Sequence, residues 1–246
     1  MTGENSQLGA TQPLKLLTLV EPHACSYLKG NLANSIFIDS QTPPSWAQYS
    51  QLSRAGFRRS GGHFYRPNCP DCSACLSSRV IVRDFSASRR FKRILKKNSD
   101  LRVILRPAQY TEEHYALFKR YIDARHQDGD MYPTSERQFK DFLCSDQDFA
   151  YFAEFREADR LIASAVVDVL DDGLSAIYTY YDPSEEKRSL GVLAVLWQLA
   201  YARQTDLKYV YLGYWIRDCE KMRYKDQYQP LEVFRDDIWQ PLSTQT

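Results

Sequence analysis

Between Gly213 and Glu232 the chain reads Gly213-Tyr-Trp-Ile-Arg-Asp-Cys-Glu-Lys-Met-Arg-Tyr-Lys-Asp-Gln-Tyr-Gln-Pro-Leu-Glu232, a stretch too polar to be core and too aromatic to be linker. A segment that fits neither role is expected to touch a ligand. It sets Lys221, Arg223 and Lys225 among Tyr214, Trp215, Tyr224 and Tyr228. Cations interleaved with aromatic rings suit phosphates and stacked bases, since the charge meets the phosphate and the flat ring meets the base.

A second cationic group lies in Arg89-Arg-Phe-Lys-Arg-Ile-Leu-Lys-Lys97. At roughly 100° per residue, Arg89, Arg90, Lys92, Arg93, Lys96 and Lys97 fall within about 160° of arc, with Phe91, Ile94 and Leu95 opposite. No acidic residue interrupts the run. One face is expected to dock and the other to contact phosphates, the bland alternative being a solvated helix face.

Cys69-Pro-Asp-Cys72-Ser-Ala-Cys75 supplies three of the six cysteines at two-residue gaps, a spacing that wraps one metal or part of an iron–sulfur cluster. A fourth ligand has to come from elsewhere, with Cys25 first in line and His23 or His63 in reserve. Small buried cysteines are also ordinary core residues, so both readings stand.

The run Gly213-Tyr-Trp-Ile216, then Cys219, Lys221-Met-Arg-Tyr-Lys225 and Pro230, resembles the C-terminal signature of the arginyl-tRNA–protein transferase family. Within it, the short chain is similar to the bacterial aspartate/glutamate leucyltransferase branch. His23-Ala-Cys-Ser-Tyr-Leu28, Gly56-Phe-Arg-Arg-Ser-Gly61, Tyr65 to Cys75 and Arg125-His-Gln-Asp-Gly-Asp-Met131 match in the same order, so the likeness runs from Leu14 to Phe234. It implies an enzyme that moves leucine from Leu-tRNA to the α-amine of proteins beginning with Asp or Glu, marking them for N-degron degradation. Related eukaryotic enzymes use Arg-tRNA, which keeps an arginine donor as the alternative.

The implied chemistry asks little of the protein. An aminoacyl ester is already activated, and a peptide α-amine with a pKa near 8 leaves roughly a tenth or more neutral at physiological pH. Positioning and stabilisation of the tetrahedral oxyanion are the work. No cofactor is needed for that, and a zinc ion or iron–sulfur cluster at the cysteines would be structural or redox-regulatory. The catalytic candidates are Tyr181, Asp182, Lys221, Arg223 and Tyr224, with Tyr178 and Tyr180 beside them. Ser189, Gly191 and Lys225 join the basic helix as tRNA-binding candidates. Arg58, Arg59 and Arg66, inside matched motifs, are the candidates for an acidic acceptor, since a guanidinium grips a carboxylate with two parallel bonds. Arg125, His126 and Asp128 form a further polar cluster that ends a helix.

Composition sets the outer limits. The 246 residues carry 43% hydrophobic side chains, enough for a core, and a net charge of only +1, so a nucleic-acid partner has to be met by local patches. No run approaches the roughly 18 apolar residues of a membrane helix, and a cytoplasmic protein without membrane contact is expected. Residues 1–13 read as a flexible polar tail, 14–75 as a cysteine-containing lobe and 76–240 as the transferase domain.

Elements that would position these residues follow from periodicity. Lys15 to Val20 and Ser35 to Ile38 read as strands, Ser45 to Ala55 as a helix, Ser78 to Phe85 as a strand and Ser86 to Asn98 as the basic helix. Thr111 to Arg125 and Ser135 to Leu143 are capped helices, and Phe149 to Arg156, Leu161 to Leu170 and Leu174 to Tyr181 are successive strands. The helix Leu190 to Gln204 and strand Tyr209 to Leu212 complete the order. That succession predicts an α+β, acetyltransferase-like (GNAT) mixed sheet with flanking helices beside the small N-terminal lobe. Two other functions fit parts of it: a CoA-dependent N-acetyltransferase, and a non-enzymatic metal-bound RNA-binding module. In Arg188-Ser-Leu-Gly-Val-Leu193 a leucine occupies the last small position of the CoA pattern, which counts against the first.

Overall fold

The computed structural model describes residues 13–129 and 131–243. The expected tail therefore lies outside the described residues up to position 12, as does Asp130 of the Arg125-to-Met131 motif. The first elements are short: β1 (Leu16–Thr18), β2 (His23–Ala24), β3 (Leu32–Ala33), β4 (Ser35–Ile38), α1 (Trp46–Arg54), β5 (Arg58–Ser60) and β6 (His63–Pro67). Then come β7 (Leu76–Ile81), α2 (Arg89–Lys97), β8 (Arg102–Pro107), α3 (Glu112–Arg125), α4 (Glu136–Leu143), β9 (Ala150–Glu157), β10 (Arg160–Val169) and β11 (Gly173–Tyr181). A 3-10 turn over Pro183–Arg188 leads to α5 (Leu190–Gln204), β12 (Tyr209–Trp215), α6 (Glu220–Arg223), β13 (Leu231–Arg235) and β14 (Ile238–Pro241).

The helix starts follow local chemistry. Ser45, Ser88, Thr111 and Ser135 each accept a bond from the backbone amide three residues on, satisfying one of the amides a helix N-terminus leaves unpaired. At α1, Gln48 returns the bond to the Ser45 amide and closes a capping box.

Among the described residues the strands form an eight-stranded mixed sheet, ordered β14-β13-β7-β12-β11-β10-β9-β8, a four-stranded sheet, β1-β4-β6-β5, and a two-stranded pair, β2-β3. Neighbours in the large sheet are antiparallel except β11 and β12, which run parallel and are joined by α5. One core, with Val80, Ala163, Leu193 and Leu212, lies between the sheet and α2 and α5. The other, with Phe118, Phe139, Val166 and Tyr180, lies under α3 and α4. Ile38, Tyr49, Phe57 and Phe64 belong to this second core. The residues before Cys75 thus share their interior with the large sheet.

The parallel pair decides where a ligand can enter. β11 and β12 pair only from Gly173 with Tyr209 to Ser175 with Tyr211. Beyond that β11 stays with β10 as far as Tyr181, while β12 bulges between Tyr211 and Gly213 and continues along β7 to Trp215. The two strands part toward their carboxyl ends and leave a fork in the sheet. Crevices outside strand carboxyl ends are where open α/β sheets bind ligands.

Candidate functional site

Most of the catalytic and tRNA-binding candidates gather around this fork. On the β11 side, Tyr181 packs against Tyr121 of α3 at 4.9 Å between ring centroids, and the Arg125 guanidinium lies 5.7 Å over the Tyr181 ring. Tyr178 is edge-on to Tyr121 at 6.4 Å. Burial, with the neighbouring Tyr181 hydroxyl next, pushes the Tyr121 hydroxyl above the usual phenol range; Tyr224 acts in the same direction. His126 is held below the ordinary imidazole pKa, first by burial and then by the Lys221 charge. Through Tyr224 and Lys221 the segment after β12 thus comes within electrostatic range of the end of α3.

That segment is less uniform than its composition suggests. It was expected to lie outside the core, yet Tyr214, Trp215, Ile216, Cys219, Lys225 and Tyr228 are buried, while Lys221, Arg223 and Tyr224 are exposed. The reason is local: at Gly213, with φ of +79°, the bulge redirects the strand, and the Trp215 indole donates to the Arg223 carbonyl at 3.2 Å to tie the turn back. Tyr228 then stacks on Phe91 of α2, 5.1 Å between centroids and 12° from parallel.

The basic helix is largely as expected. Arg89, Arg90, Lys92, Arg93, Lys96 and Lys97 are all exposed, and none forms an ion pair among the described residues. Phe91 and Ile94 are buried, but Leu95, expected with them, is 39% exposed. Arg90 donates to the Gln227 side chain and Lys97 to the Lys187 carbonyl at 2.6 Å, so both ends of the cationic face meet segments that border the fork.

At the mouth, Asp182 accepts from the Ser184 amide at 3.0 Å and hydroxyl at 2.6 Å. Burial pushes its carboxyl up, but those bonds and the Arg120 and Arg160 charges outweigh it, leaving the pKa below the usual range. An ionised, bonded carboxylate of this kind orients a turn and is a weak base for an amine. Ser189 adopts a left-handed conformation at the start of α5, and Gly191 lies beside Tyr181. Arg188 is bound by Asp100, Glu157 and Glu185. Leu193 is buried in the core beneath α5.

The three acceptor candidates part company. Arg59 donates from Nε and Nη2 to Asp168, both at 2.7 Å, with the two side chains 2% and 0% exposed; it is committed to the interior. Arg66 bonds the Ala55 carbonyl at 3.0 Å and lies 5.3 Å over Phe57. Arg58 enters the fork itself, with Nη2 donating to the Ala176 carbonyl of β11 at 2.8 Å and the guanidinium beside Gly213 of β12. Lys225, expected on the tRNA, is only 5% exposed and bonds the Tyr214 carbonyl and Met222 Sδ. Burial, with the Arg58 charge second, lowers its pKa to about 7. Tyr121, three turns into α3, was missed; its signal was its place four residues before Arg125, on the same helix face.

A stability consequence follows at Lys225. Its folded pKa lies below the ordinary 10.5, so the unfolded chain holds the extra proton between about pH 7 and 10.5, and stability rises with pH across that window. Lys225→Met should therefore stabilise the fold, on the order of 1–4 kcal/mol at pH 7, with the gain fading toward pH 10. Urea unfolding of both proteins at the two pH values measures it; a gain independent of pH would contradict it.

Cys25, Cys69, Cys72 and Cys75 are free thiols. The Cys69 thiol lies 3.6 Å from the Asn34 carbonyl, Cys25 Sγ accepts from the amides of Tyr27 and Leu28, and burial followed by the other cysteines pushes Cys75 up to about 12. Among the described residues no three His, Cys, Asp or Glu side chains converge as metal donors.

Comparison with known proteins identifies the family. Two family models match, "Arginine-tRNA-protein transferase, C terminus" over residues 113–235 and "Arginine-tRNA-protein transferase, N terminus" over residues 23–93. A protein of Pseudomonas aeruginosa named aspartate/glutamate leucyltransferase is 52% identical over 223 residues, covering 91% of this chain and 95% of that protein. Proteins of the same name from Hahella chejuensis and Stutzerimonas stutzeri are 51% and 53% identical, covering 88% and 91% of this chain and 93% and 95% of theirs. Among solved structures, L-PGS from Bacillus licheniformis overlays with a TM-score of 0.43 at 8% identity, over 57% of this chain and 45% of that one, a likeness too low to bear on fold or function. On the family matches and the near-full-length identity, the chain belongs to the arginine-tRNA-protein transferase family, in its aspartate/glutamate leucyltransferase branch.

Proposed function

We propose that the protein transfers leucine from Leu-tRNA to the α-amine of proteins whose first residue is Asp or Glu, the activity named for its relatives, and so marks them for N-degron degradation in the cytoplasm. The observation that supports this reading is the row of six exposed cations on α2, without ion-pair partners among the described residues, whose ends bond Gln227 and Lys187 in segments bordering the fork, together with the exposed Lys221, Arg223 and Tyr224 of the segment after β12. The acceptor stem lies along α2 by its phosphates, and a terminal base stacks on the exposed Tyr224 ring. The ester then sits at the mouth between Tyr181 and the start of α5, where free amides and the helix dipole favour a developing oxyanion.

Tyr181, Lys221, Arg223 and Tyr224 hold the aminoacyl end in this reading, and Asp182 fixes the turn carrying Ser189 and Gly191. The parallel, splayed pair joined by a helix supports a GNAT-like transferase domain over 76–240, with 14–75 as an appended lobe. An acetyl-CoA donor is disfavoured because Arg188, the cation at that position of the CoA pattern, already serves three carboxylates. The reading is tested by incubating the protein with Leu-tRNA charged with labelled leucine and a peptide starting with Asp. Label should enter the free peptide and not its N-acetylated form; label in both would place the acceptor elsewhere than the α-amine.

A further inference from the structure

Apart from Arg58, the buried arginines have carboxylate partners: Arg59 has Asp168 and Arg79 has Glu232. Arg58 and Lys225, 6% and 5% exposed, have none among the described residues. A fully buried cation without an ionic partner is rare, because desolvating the charge is costly and nothing local repays it. Burial and the Arg58 charge both disfavour the Lys225 ammonium, and a bound carboxylate would favour it.

Their donors are also incompletely used. Arg58 Nη2 is spent on the Ala176 carbonyl, but the buried Nη1 has no acceptor in the chain. The ammonium of Lys225 meets the Tyr214 carbonyl and Met222 Sδ, of which only the oxygen is a strong acceptor. Both lie where β11 and β12 have parted. A Cβ at Gly213 would stand in ordinary contact, 3.7 Å from Arg58 Nε and Nη2, so the β12 backbone passes directly beside the guanidinium.

We propose that Arg58 and Lys225 together receive the side-chain carboxylate of the acceptor's N-terminal Asp or Glu, which makes them the residues that set acceptor specificity. This rests on the transferase reading above. One carboxylate supplies the acceptor Nη1 lacks and the negative charge both cations lack. Insertion of the side chain into the fork leaves the α-amine at the mouth, toward Tyr181 and the start of α5. The flexible four-carbon stem of Lys225 accommodates the one-methylene difference between Asp and Glu, while Arg58, fixed on Ala176, holds the carboxylate plane. A phosphodiester is a poorer occupant, since it carries a sugar on each side and the site is enclosed by strand backbone; the exposed cations of α2 suit it better.

The test measures kcat/KM for peptides beginning with Asp, Glu, Asn and Gln at saturating Leu-tRNA, in the wild type, Arg58→Gln, Arg58→Lys and Lys225→Met. Arg58→Gln should lower kcat/KM for Asp and Glu by about 10- to 100-fold, mostly through KM, as expected for loss of a charged hydrogen bond. The Asn and Gln peptides should change less than about threefold, so that discrimination collapses. Arg58→Lys should retain part of the preference, and Lys225→Met should lower Asp and Glu selectively with the KM for Leu-tRNA unchanged. Equal losses on all four peptides would overturn the proposal in favour of a structural role; a raised KM for Leu-tRNA with acceptor preference intact would overturn it in favour of phosphate. If Arg58→Gln does not fold, Arg58→Lys and Lys225→Met carry the same comparison. Leucine transfer by the wild type without preference for acidic peptides overturns the receptor alone, whereas no transfer by the wild type overturns the reaction beneath it.

Discussion

Replacing Asp168 with Ala is expected to cost about 3–5 kcal/mol of folding stability, the effect of stripping one partner from a buried ion pair. The carboxylate takes two bonds from Arg59 at 2.7 Å and one from the Tyr49 hydroxyl at 2.8 Å, in a site without solvent. Without it the Arg59 guanidinium keeps neutral partners, the Gly61 carbonyl at 2.8 Å and the Tyr49 side chain, but loses its carboxylate. The network ties α1 and β5 to β10, and β5 also carries Arg58 into the fork, so the loss reaches function through placement of that arginine. Chemical unfolding of Asp168→Ala and of the double variant Arg59→Met with Asp168→Leu separates the terms. The single variant should be the less stable, because the double leaves no unpaired charge; a single variant within about 1 kcal/mol of wild type would contradict the assignment.

Reversing charge on the basic helix is the other large expected effect. Arg93→Glu, Lys96→Glu and Lys97→Glu together should weaken tRNA binding by about a hundredfold or more at low salt. The same change should flatten the slope of log affinity against log salt by about 2 to 3, one unit per lost phosphate contact. The fold should tolerate the change, since these side chains are exposed and the docking face rests on Phe91 and Ile94. Lys97 gives up one bond to the Lys187 carbonyl, a local cost. Kinetic constants for the acceptor peptide at saturating tRNA should hold steady. An unchanged salt slope would remove α2 from the tRNA path.

How much of this was legible in the sequence depended on the length of the signal. The helices α1 to α4 announced themselves by Ser or Thr caps and helical spacing, and the meander β9 to β11 by period two with turn residues between. The basic helix was readable because charge and hydropathy separate cleanly over its turns; Leu95 failed because it borders the two faces. β5, β6, β8 and the hairpin β13 to β14 were not read: they are short, arginine-rich or interrupted by Pro, and are held by partners distant in sequence. At the site, composition found the right segment after β12 but not its division into buried and exposed halves, which the bulge at Gly213 decides. Sequence placed Arg58, Arg59 and Arg66 together; only the fold separates them, since the partners Asp168, Ala176 and Ala55 come from three different elements or turns. Lys225 was read as a surface cation because buried lysines have no local signature.

The choice of donor and acceptor is the most direct measurement of the central claim. The purified protein is given Leu-tRNA, Arg-tRNA or acetyl-CoA, each with peptides beginning with Asp, Glu, Lys or Arg, and the product masses are read. Leucine should appear on the Asp and Glu peptides, and with Leu-tRNA alone. An acetylated product, arginine in place of leucine, or leucine on the Lys and Arg peptides instead would contradict the assignment.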